Sequence, residues 1–121
     1  METKGSLPQS PVEAEWFVLK ELVTVIVPAY NVGPYIEQAI DSVIRQSYRH
    51  LEIVVVDDCS TDDTPRAMDR ISDPRIRRLR NEVNRGVSYS RNRAIESSTG
   101  QWMALLDPDD WWEERRIERL L

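Results

Sequence analysis

Three carboxylates crowd into four positions near the end of the sequence. The stretch ALLDPDDWWEE places Asp107, Asp109 and Asp110 directly after an apolar run. Like charges at this spacing repel one another unless a cation lies beside them. Carboxylate oxygens select a hard divalent ion, Mg²⁺ or Mn²⁺, which keeps positions for water and phosphate. Asp107 and Asp109 can approach one ion around the Pro108 turn, whereas Asp110 is also a natural helix cap.

A second acidic group, Asp57 and Asp58, follows the apolar run LEIVVV. Thr61, Asp62 and Asp63 lie between this pair and the next predicted helix, and they can already cap that helix. One of Asp57 and Asp58 is therefore not needed as a cap. A carboxylate fixed at a strand end can accept a hydrogen bond from a nucleobase imide or a ribose hydroxyl. We therefore expect a binding role for one member of this pair.

Other side chains suited to a nucleotide lie nearby in the pattern. Tyr30 follows the first apolar run, so its ring can stack on a base, with a half-buried tyrosine as the alternative. Arg91 and Arg93 can grip phosphate through two hydrogen bonds, although a solvated helix face is the alternative for Arg93. Gly86 can supply a positive φ angle at the entry to a helix. The sequence has neither a Gly-x-Gly-x-x-Gly turn nor a Walker lysine, which excludes the usual dinucleotide and P-loop sites.

Short apolar runs typical of buried strands alternate along the chain with segments whose apolar residues recur at helical spacing. These patterns predict the elements that carry the residues named above. The predicted strands are LVTVIVP, LEIVVVD, RIRRLR and QWMALLD, and the predicted helices are PYIEQAIDSVIRQ, TPRAMDRIS, VSYSRNRAIESS and WWEERRIERLL. All the strands except charged RIRRLR, which suits a sheet edge, are expected to be buried. Thr64 is expected to cap the second helix and Gly100 to end the third, while Trp111 and Trp112 are expected to pack.

This β-α-β-α-β-α-β-α order predicts an α/β fold, with a mainly parallel sheet and helices on both faces. In such sheets ligands bind at the carboxyl ends of the strands, where the strand order reverses. The polar clusters PAYN, DDCST, NRGVS and DPDD all fall on strand-to-helix turns. We therefore expect them to converge on one edge, where the acidic groups call for a divalent cation that carries phosphate.

Composition narrows the class of protein. With 121 residues the chain fits one domain, and its net charge of −5 argues against nucleic-acid binding. A lone Cys59 excludes an internal disulfide, and a lone His50 excludes a multi-histidine metal site. No apolar run approaches a membrane span and no signal peptide is evident, so we expect a soluble cytoplasmic protein. Residues 1–21 are expected to form a mobile leader and residues 22–121 the folded domain.

Several of these motifs, in this order, resemble the donor half of the family-two inverting glycosyltransferases with the GT-A fold. The resemblance runs from about Val23 to the chain end and rests on VTVIVPAYN, EIVVVDDCSTDDT, NRGVSYSRNRA and ALLDPDDWW. It implies a Rossmann-like domain that binds a nucleotide-diphosphate sugar, commonly a UDP-sugar, with Mg²⁺ or Mn²⁺ on the diphosphate. The sugar would pass to an acceptor hydroxyl on a glycan, lipid or protein.

The resemblance also implies roles for individual residues. Pro28 and Tyr30 would border the nucleobase pocket, and Asp58 would contact the base. Arg91 and Asn92 would lie near the diphosphate. The metal ligands would be the D-x-D pair Asp107 and Asp109, with Asp107 also facing the nucleotide and with Asp110 as the neighbour that some members use instead.

Two departures from the family pattern leave other functions open. Cys59 stands where the family usually has glycine, and the acceptor half is absent, so the general base is expected beyond Leu121. A non-catalytic nucleotide-binding fragment is therefore the first alternative. The second is a receiver-type phosphoacceptor domain, although its acidic pair would have to follow the first strand and its strand-end lysine is missing. An uncovered sheet edge would favour self-association.

Overall fold

A computed structural model describes residues 21–121, so the predicted leader lies outside the described residues except for its last position. Strands and helices alternate along the chain, as the sequence predicts. The elements are β1 (Val23–Ala29), α1 (Gly33–Ile44), β2 (Leu51–Asp57), α2 (Thr64–Asp69), β3 (Ile76–Arg80), α3 (Val87–Ser97), β4 (Trp102–Leu105) and α4 (Arg116–Leu120). The predicted α/β fold is confirmed.

The four strands form one parallel sheet in the order β3-β2-β1-β4. β1 pairs with β2 along its whole length, from Val23 opposite Leu51 to Ala29 opposite Asp57. The chain moves outward from β1 to β3 and then returns to place β4 on the other side of β1. The strand order therefore reverses between β1 and β4, and their carboxyl ends mark the switch point where α/β sheets bind ligands.

Alternate side chains of β1 and β2 pack into two separate layers because successive residues of a strand point to opposite faces. The larger layer joins these strands to α1, α2 and the end of the chain. It contains Val25, Val27, Ile36, Ile40, Ile53, Val55, Met68, Trp112 and Ile117. The smaller layer joins Ile26, Val54 and Val56 to Ala94 of α3. Helices therefore cover both faces, and no helix among residues 21–121 is long and apolar enough to cross a membrane.

The end of the chain differs from the sequence-based expectation. β4 was expected to be buried, but Trp102, Met103 and Leu105 are each about half exposed, and β4 is an edge strand that pairs only with β1 among the described strands. The last helix was expected to start at Trp111, yet α4 starts at Arg116. The intervening backbone bonds instead to Ser42 in α1 and to Gln46 and Ser47 just after it. Trp112 packs as expected, whereas Trp111 is 58% exposed, so the packing prediction is wrong for Trp111.

Two predicted helix ends are also wrong in detail. Thr64 is the first residue of α2 rather than its cap, and its hydroxyl instead accepts a hydrogen bond from the Val32 N–H at 2.9 Å. α3 ends at Ser97 and Ser98 is extended, so Gly100 does not end the helix. Gly100 packs against β1, where a Cβ atom would lie 2.5 Å from Thr24 Oγ1. Close approach of two backbones is therefore what position 100 requires.

Candidate nucleotide site at the carboxyl edge of the sheet

The turns that follow β1 and β2 are joined through Asn31. Asn31 Oδ1 accepts hydrogen bonds from the N–H groups of Thr61 at 2.8 Å and Asp62 at 3.3 Å, and its own N–H donates to Ser60 Oγ at 3.0 Å. Asn31 has a φ of 51°, a left-handed conformation that asparagine tolerates better than most residues. Asn31 was not among the predicted site residues, although asparagine just after a strand end is a usable signal for such a turn.

Asp62 makes a second connection between the same two turns. Its carboxylate accepts hydrogen bonds from the Gly33 N–H at 3.0 Å and from the N–H and hydroxyl of Thr64 at 2.9 and 2.6 Å. Burial raises the pKa of Asp62, but the hydrogen bonds from Thr64 and Gly33 outweigh it and hold the pKa below its ordinary value. Asp62 therefore fixes the start of α1 rather than facing a ligand.

The pairing between β1 and β4 ends just before Pro28. Even-numbered residues of β1 direct their backbone groups toward β4, as shown by the Leu106 N–H, which donates to the Ile26 carbonyl at 3.0 Å. Pro28 has no N–H to continue this pairing, and the β1–β4 register ends at Ile26 opposite Leu105. Tyr30 lies just beyond the end of β1 with 46% of its surface exposed. The β1–β4 pairing therefore stops at the switch point, and an accessible aromatic ring lies just beyond it.

Asp58 is almost completely buried and accepts three hydrogen bonds. Oδ1 accepts from the Asn81 amide at 2.8 Å and from the Arg85 N–H at 2.7 Å, and Oδ2 accepts from the Gly86 N–H at 2.9 Å. Burial raises the pKa of Asp58, but these three hydrogen bonds outweigh it and hold the pKa below its ordinary value. Asp58 thus anchors the turn before α3, where Gly86 has the expected positive φ of 95°. Oδ2 keeps a lone pair for one further donor.

Asp57 and Cys59 flank this anchor. The Asp57 carboxylate accepts from the Ser60 N–H at 3.0 Å and pairs with Arg80 at 2.8 Å. Cys59 has a φ of 62°, a left-handed conformation that glycine adopts without strain and cysteine does not. The turn therefore has the shape that glycine favours, although cysteine occupies it.

Asn81 connects Asp58 to α3 and was missed by the sequence analysis. It is 3% exposed, donates from its amide to Ser90 Oγ at 3.0 Å, and accepts from Arg93 Nη1 at 2.9 Å. Arg93 also donates to the Arg80 carbonyl at 2.7 Å. Arg93 therefore ties α3 to the end of β3, and a phosphate contact from its remaining donors stays a prediction. A single asparagine after a charged strand gave no signal of this role.

Arg91 differs from Arg93 because nothing in the described part of the chain pairs with it. Among residues 21–121 its guanidinium makes no hydrogen bond or ion pair, and its Nε atom is shielded from solvent without an acceptor. A buried donor without a partner costs about 1–3 kcal/mol, so an anion placed beside Arg91 would relieve that cost. The neighbouring Asn92 is exposed and also has no hydrogen-bond partner within this range.

The acidic turn after β4 exposes its three carboxylates. The Asp110 N–H donates to the Asp107 carbonyl at 2.9 Å, which closes a turn around Pro108. Asp110 Oδ1 accepts from the Trp111 N–H at 2.8 Å and does not cap α4, whose cap position is Arg115. The carboxylates of Asp107 and Asp109 make no hydrogen bond or ion pair with residues 21–121.

Within the described range, no three acidic, cysteine or histidine side chains come close enough to hold a metal ion by themselves. The donors nevertheless fit Mg²⁺ or Mn²⁺, because Asp107 and Asp109 are exposed and carry hard oxygen ligands. Magnesium in proteins is usually held by one or two carboxylates together with substrate phosphates rather than by a complete protein cage. The residues therefore suit an ion that arrives with a phosphorylated ligand.

The sequence profile of Glycosyl transferase family 2 matches residues 24–121. Succinoglycan biosynthesis protein ExoO of Rhizobium meliloti is 42% identical over 99 residues, which cover 82% of this chain and 28% of ExoO. UDP-Glc:alpha-D-GlcNAc-diphosphoundecaprenol beta-1,3-glucosyltransferase WfaP of Escherichia coli is 38% identical over 97 residues, which cover 80% of this chain and 39% of WfaP. The chain therefore spans less than half the length of either relative.

Two solved structures share the fold described above. The first is S. aureus TarS 1–349 in complex with UDP, with a TM-score of 0.74 and 30% identity over 81% of this chain and 30% of that chain. The second is mannosyltransferase PcManGT from Pyrobaculum calidifontis in complex with GDP-Man and Mn²⁺, with a TM-score of 0.72 and 38% identity over 77% of this chain and 29% of that chain. Both similarities place the sheet, its helices and the switch point in a GT-A-like arrangement.

Proposed function

This chain belongs to glycosyl transferase family 2, and we propose that residues 22–121 bind a nucleotide-diphosphate sugar at the carboxyl edge of the sheet. The observation that carries the proposal is the pair of unsatisfied groups at that edge. Arg91 is a cation without a partner, and Asp107 and Asp109 are anions without a partner, among residues 21–121. A diphosphate would place anionic oxygens beside Arg91, and its divalent ion would place positive charge beside Asp107 and Asp109.

The nucleoside would lie beside Pro28 and Tyr30, where the pairing between β1 and β4 stops. Tyr30 offers an exposed ring on which a base can stack. Asp58 Oδ2, which accepts a single hydrogen bond from the protein, would accept a second from the base. We propose a UDP-sugar as the donor, and the similarity to TarS bound to UDP and to WfaP, whose name specifies UDP-Glc, supports that choice.

The diphosphate would be held from two sides. Arg91 would donate to its oxygens, with Asn92 beside it at the start of α3. Asp107 and Asp109 would hold Mg²⁺ or Mn²⁺, with Asp110 next to them, and the similarity to PcManGT with GDP-Man and Mn²⁺ supports this assignment. When bound, the ion would supply Lewis-acid stabilisation of the charge that develops on the leaving diphosphate. An acceptor hydroxyl would then attack the anomeric carbon with inversion.

The role of Arg91 can be tested by comparing ligands with and without phosphate. Arg91→Ala should weaken UDP about tenfold or more, because a charge-assisted hydrogen bond contributes about 1.5–3 kcal/mol. The same variant should leave uridine binding unchanged, since uridine has no phosphate. Isothermal titration calorimetry at fixed ionic strength measures both ligands.

Arg66→Ala is the matched control, because Arg66 is exposed on α2, which contributes no residue to the proposed site, and the substitution removes the same charge. It should change UDP affinity less than twofold by this reasoning. Equal weakening of UDP and uridine by Arg91→Ala, or of UDP by both variants, would contradict a specific contact between Arg91 and the diphosphate.

A further inference from the structure

A cavity lies alongside α1. It is a cleft of about 330 Å³ between α1 and the segment that follows the acidic turn. Asp41 and Arg45 form part of the α1 wall, while Trp111 and Glu114 form the opposite wall. α1 starts at the carboxyl edge, and Asp41 and Arg45 lie roughly 12–18 Å from that start at 1.5 Å per residue. None of the lining residues is assigned to the proposed nucleotide site, although Trp111 directly follows Asp110 of the acidic turn.

The backbone that carries Trp111 is fixed to the end of α1. The Trp112 N–H donates to Ser42 Oγ at 2.9 Å, and the fully buried Gln46 donates to the Glu113 carbonyl at 2.7 Å. The ring of Trp112 is in the core, whereas Trp111 remains 58% exposed on the cleft. Because this backbone is held, only the two side-chain torsions of Trp111 remain to be ordered when a ligand binds.

The groups around the indole define the ligand. Gln38 offers an amide, and Asp41 and Glu114 offer carboxylates, all of which bond to hydroxyl groups. Arg45 pairs with Asp41 at 2.7 Å, so the walls have no surplus positive charge for a phosphate, and a guanidinium stands against an entering cation. A neutral ligand with one apolar face and a rim of hydroxyls suits this cleft. Its apolar face can contact the indole, and its hydroxyls can bond to the amide and the carboxylates.

We propose that the cleft binds a pyranose ring of a neutral saccharide. The ring stacks its C–H face on Trp111, and its hydroxyls donate to Asp41 and Glu114 and bond to the amide of Gln38. The site uses none of the residues assigned to the donor nucleotide or to the ion. Because Trp111 follows Asp109 by only two positions, a glycan held here stays next to the segment that carries the acidic turn.

Cellotetraose, a neutral and soluble glucan, is a suitable probe. In ¹⁵N-labelled protein it should shift the indole N–H signal of Trp111 saturably, with a Kd of about 1 mM, as expected for one stacked ring. Followed through the backbone amide signals of the cleft residues, Trp111→Ala should weaken binding about tenfold, as expected from loss of a stacking contact. Trp102→Ala is the matched control, because Trp102 on β4 is 53% exposed, and this variant should bind cellotetraose as well as the parent protein.

Three results would overturn the proposal. They are the absence of a saturable shift up to about 10 mM cellotetraose, equal loss of binding in both tryptophan variants, and displacement of the sugar by spermidine in a Trp111-dependent manner, which would make the cleft a cation site. UDP affinity of Trp111→Ala, measured in parallel, should match the parent. Cellotetraose binding and UDP binding can each fail without the other, so failure of this proposal and failure of the donor site are distinguishable.

Discussion

Replacing Asp58 with Asn removes one negative charge from a side chain that is 3% exposed and accepts three hydrogen bonds. Asparagine can keep its oxygen at the Oδ1 position, facing the Asn81 amide and the Arg85 N–H. Its NH₂ group then faces the Gly86 N–H, so two donors oppose each other at the position of Oδ2. The substitution keeps the shape of the side chain while losing one bond and weakening two.

The size of the effect follows from these three bonds. A hydrogen bond to a charged acceptor contributes about 1.5–3 kcal/mol and a neutral one about 0.5–1.5 kcal/mol, so each retained bond loses about 1 kcal/mol. The third bond is lost, but the Gly86 N–H lies in an exposed turn where water can reach it. We expect Asp58→Asn to lower the free energy of unfolding by about 3 kcal/mol, a large fraction of the 5–15 kcal/mol typical of a domain.

The effect should depend on pH with a defined sign. The folded-state pKa of Asp58 is lowered, so its carboxylate stabilises the fold fully at pH values above the unfolded pKa of about 3.9. This stabilisation is lost as the pH falls through the folded-state pKa. Urea denaturation of both proteins at pH 7 and at successively lower pH should therefore show a stability difference that shrinks on acidification.

Asp63→Asn is the control for net charge, because Asp63 is exposed and makes no side-chain cap hydrogen bond. It should change stability by less than about 0.5 kcal/mol. An Asp58→Asn protein as stable as the parent at pH 7, or a difference that stays constant down to the acid limit, would refute the reasoning about this carboxylate.

Nucleotide affinity separates the two roles of Asp58. If Oδ2 also accepts a hydrogen bond from the base, Asp58→Ala weakens UDP more than it weakens ADP, because a base contact is lost in addition to the turn. Calorimetry on the folded variant makes this comparison. Equal weakening of both nucleotides would mean that Asp58 only holds the turn before α3.

Two further substitutions test backbone features of the fold. Cys59→Gly should raise the free energy of unfolding by about 0.5–1 kcal/mol, because glycine removes a left-handed strain of about 1–2 kcal/mol and adds a smaller entropic cost. Urea denaturation measures this change. A destabilised variant would show that the contacts of the Cys59 side chain outweigh the strain. Gly100→Ala should lower the free energy of unfolding by about 1–3 kcal/mol, because its Cβ would lie 2.5 Å from Thr24 Oγ1 and 2.8 Å from Thr24 N. An unchanged thermal midpoint would contradict this close approach.

Local patterns in the sequence predicted the layout of the domain. Unbroken β-branched runs identify β1 and β2 because strands buried on both faces need apolar residues at every position. Pro34 marks the first turn of α1, where its missing N–H costs nothing. Placing each polar cluster on a strand-to-helix turn brings Tyr30, Asp58 and Asp107 to one edge of the sheet, and the strand order confirms that they share this edge.

Contacts between distant parts of the chain account for what the sequence did not predict. Asn31 joins two turns that lie 30 residues apart, so neither turn alone indicates it. α4 starts late because the backbone before it bonds to Ser42 and Gln46, which lie 70 and 67 residues away from their partners. The apolar pattern of β4 was misread for a related reason, because it does not show whether another element covers the strand. Self-association through this exposed edge stays a prediction.

The most direct test of the proposed donor site is the coupling between Mn²⁺ and UDP. Asp107 and Asp109 leave most of a coordination shell to other ligands, so Mn²⁺ should bind weakly to the free protein and tighten when UDP is present. By linkage, Mn²⁺ must tighten UDP by the same factor, which we expect to be about 5- to 150-fold. Calorimetric titrations in both orders measure this factor.

The variant that decides the question is Asp109→Asn, which removes one charge at nearly constant shape, with Asp63→Asn as the charge-matched control. Asp109→Asn should abolish the coupling and leave metal-free UDP binding largely intact, whereas Asp63→Asn should keep the full coupling. If Asp109→Asn retains the full coupling, the carboxylates of the acidic turn do not hold the ion, and the account of this edge as a metal-assisted donor site is contradicted.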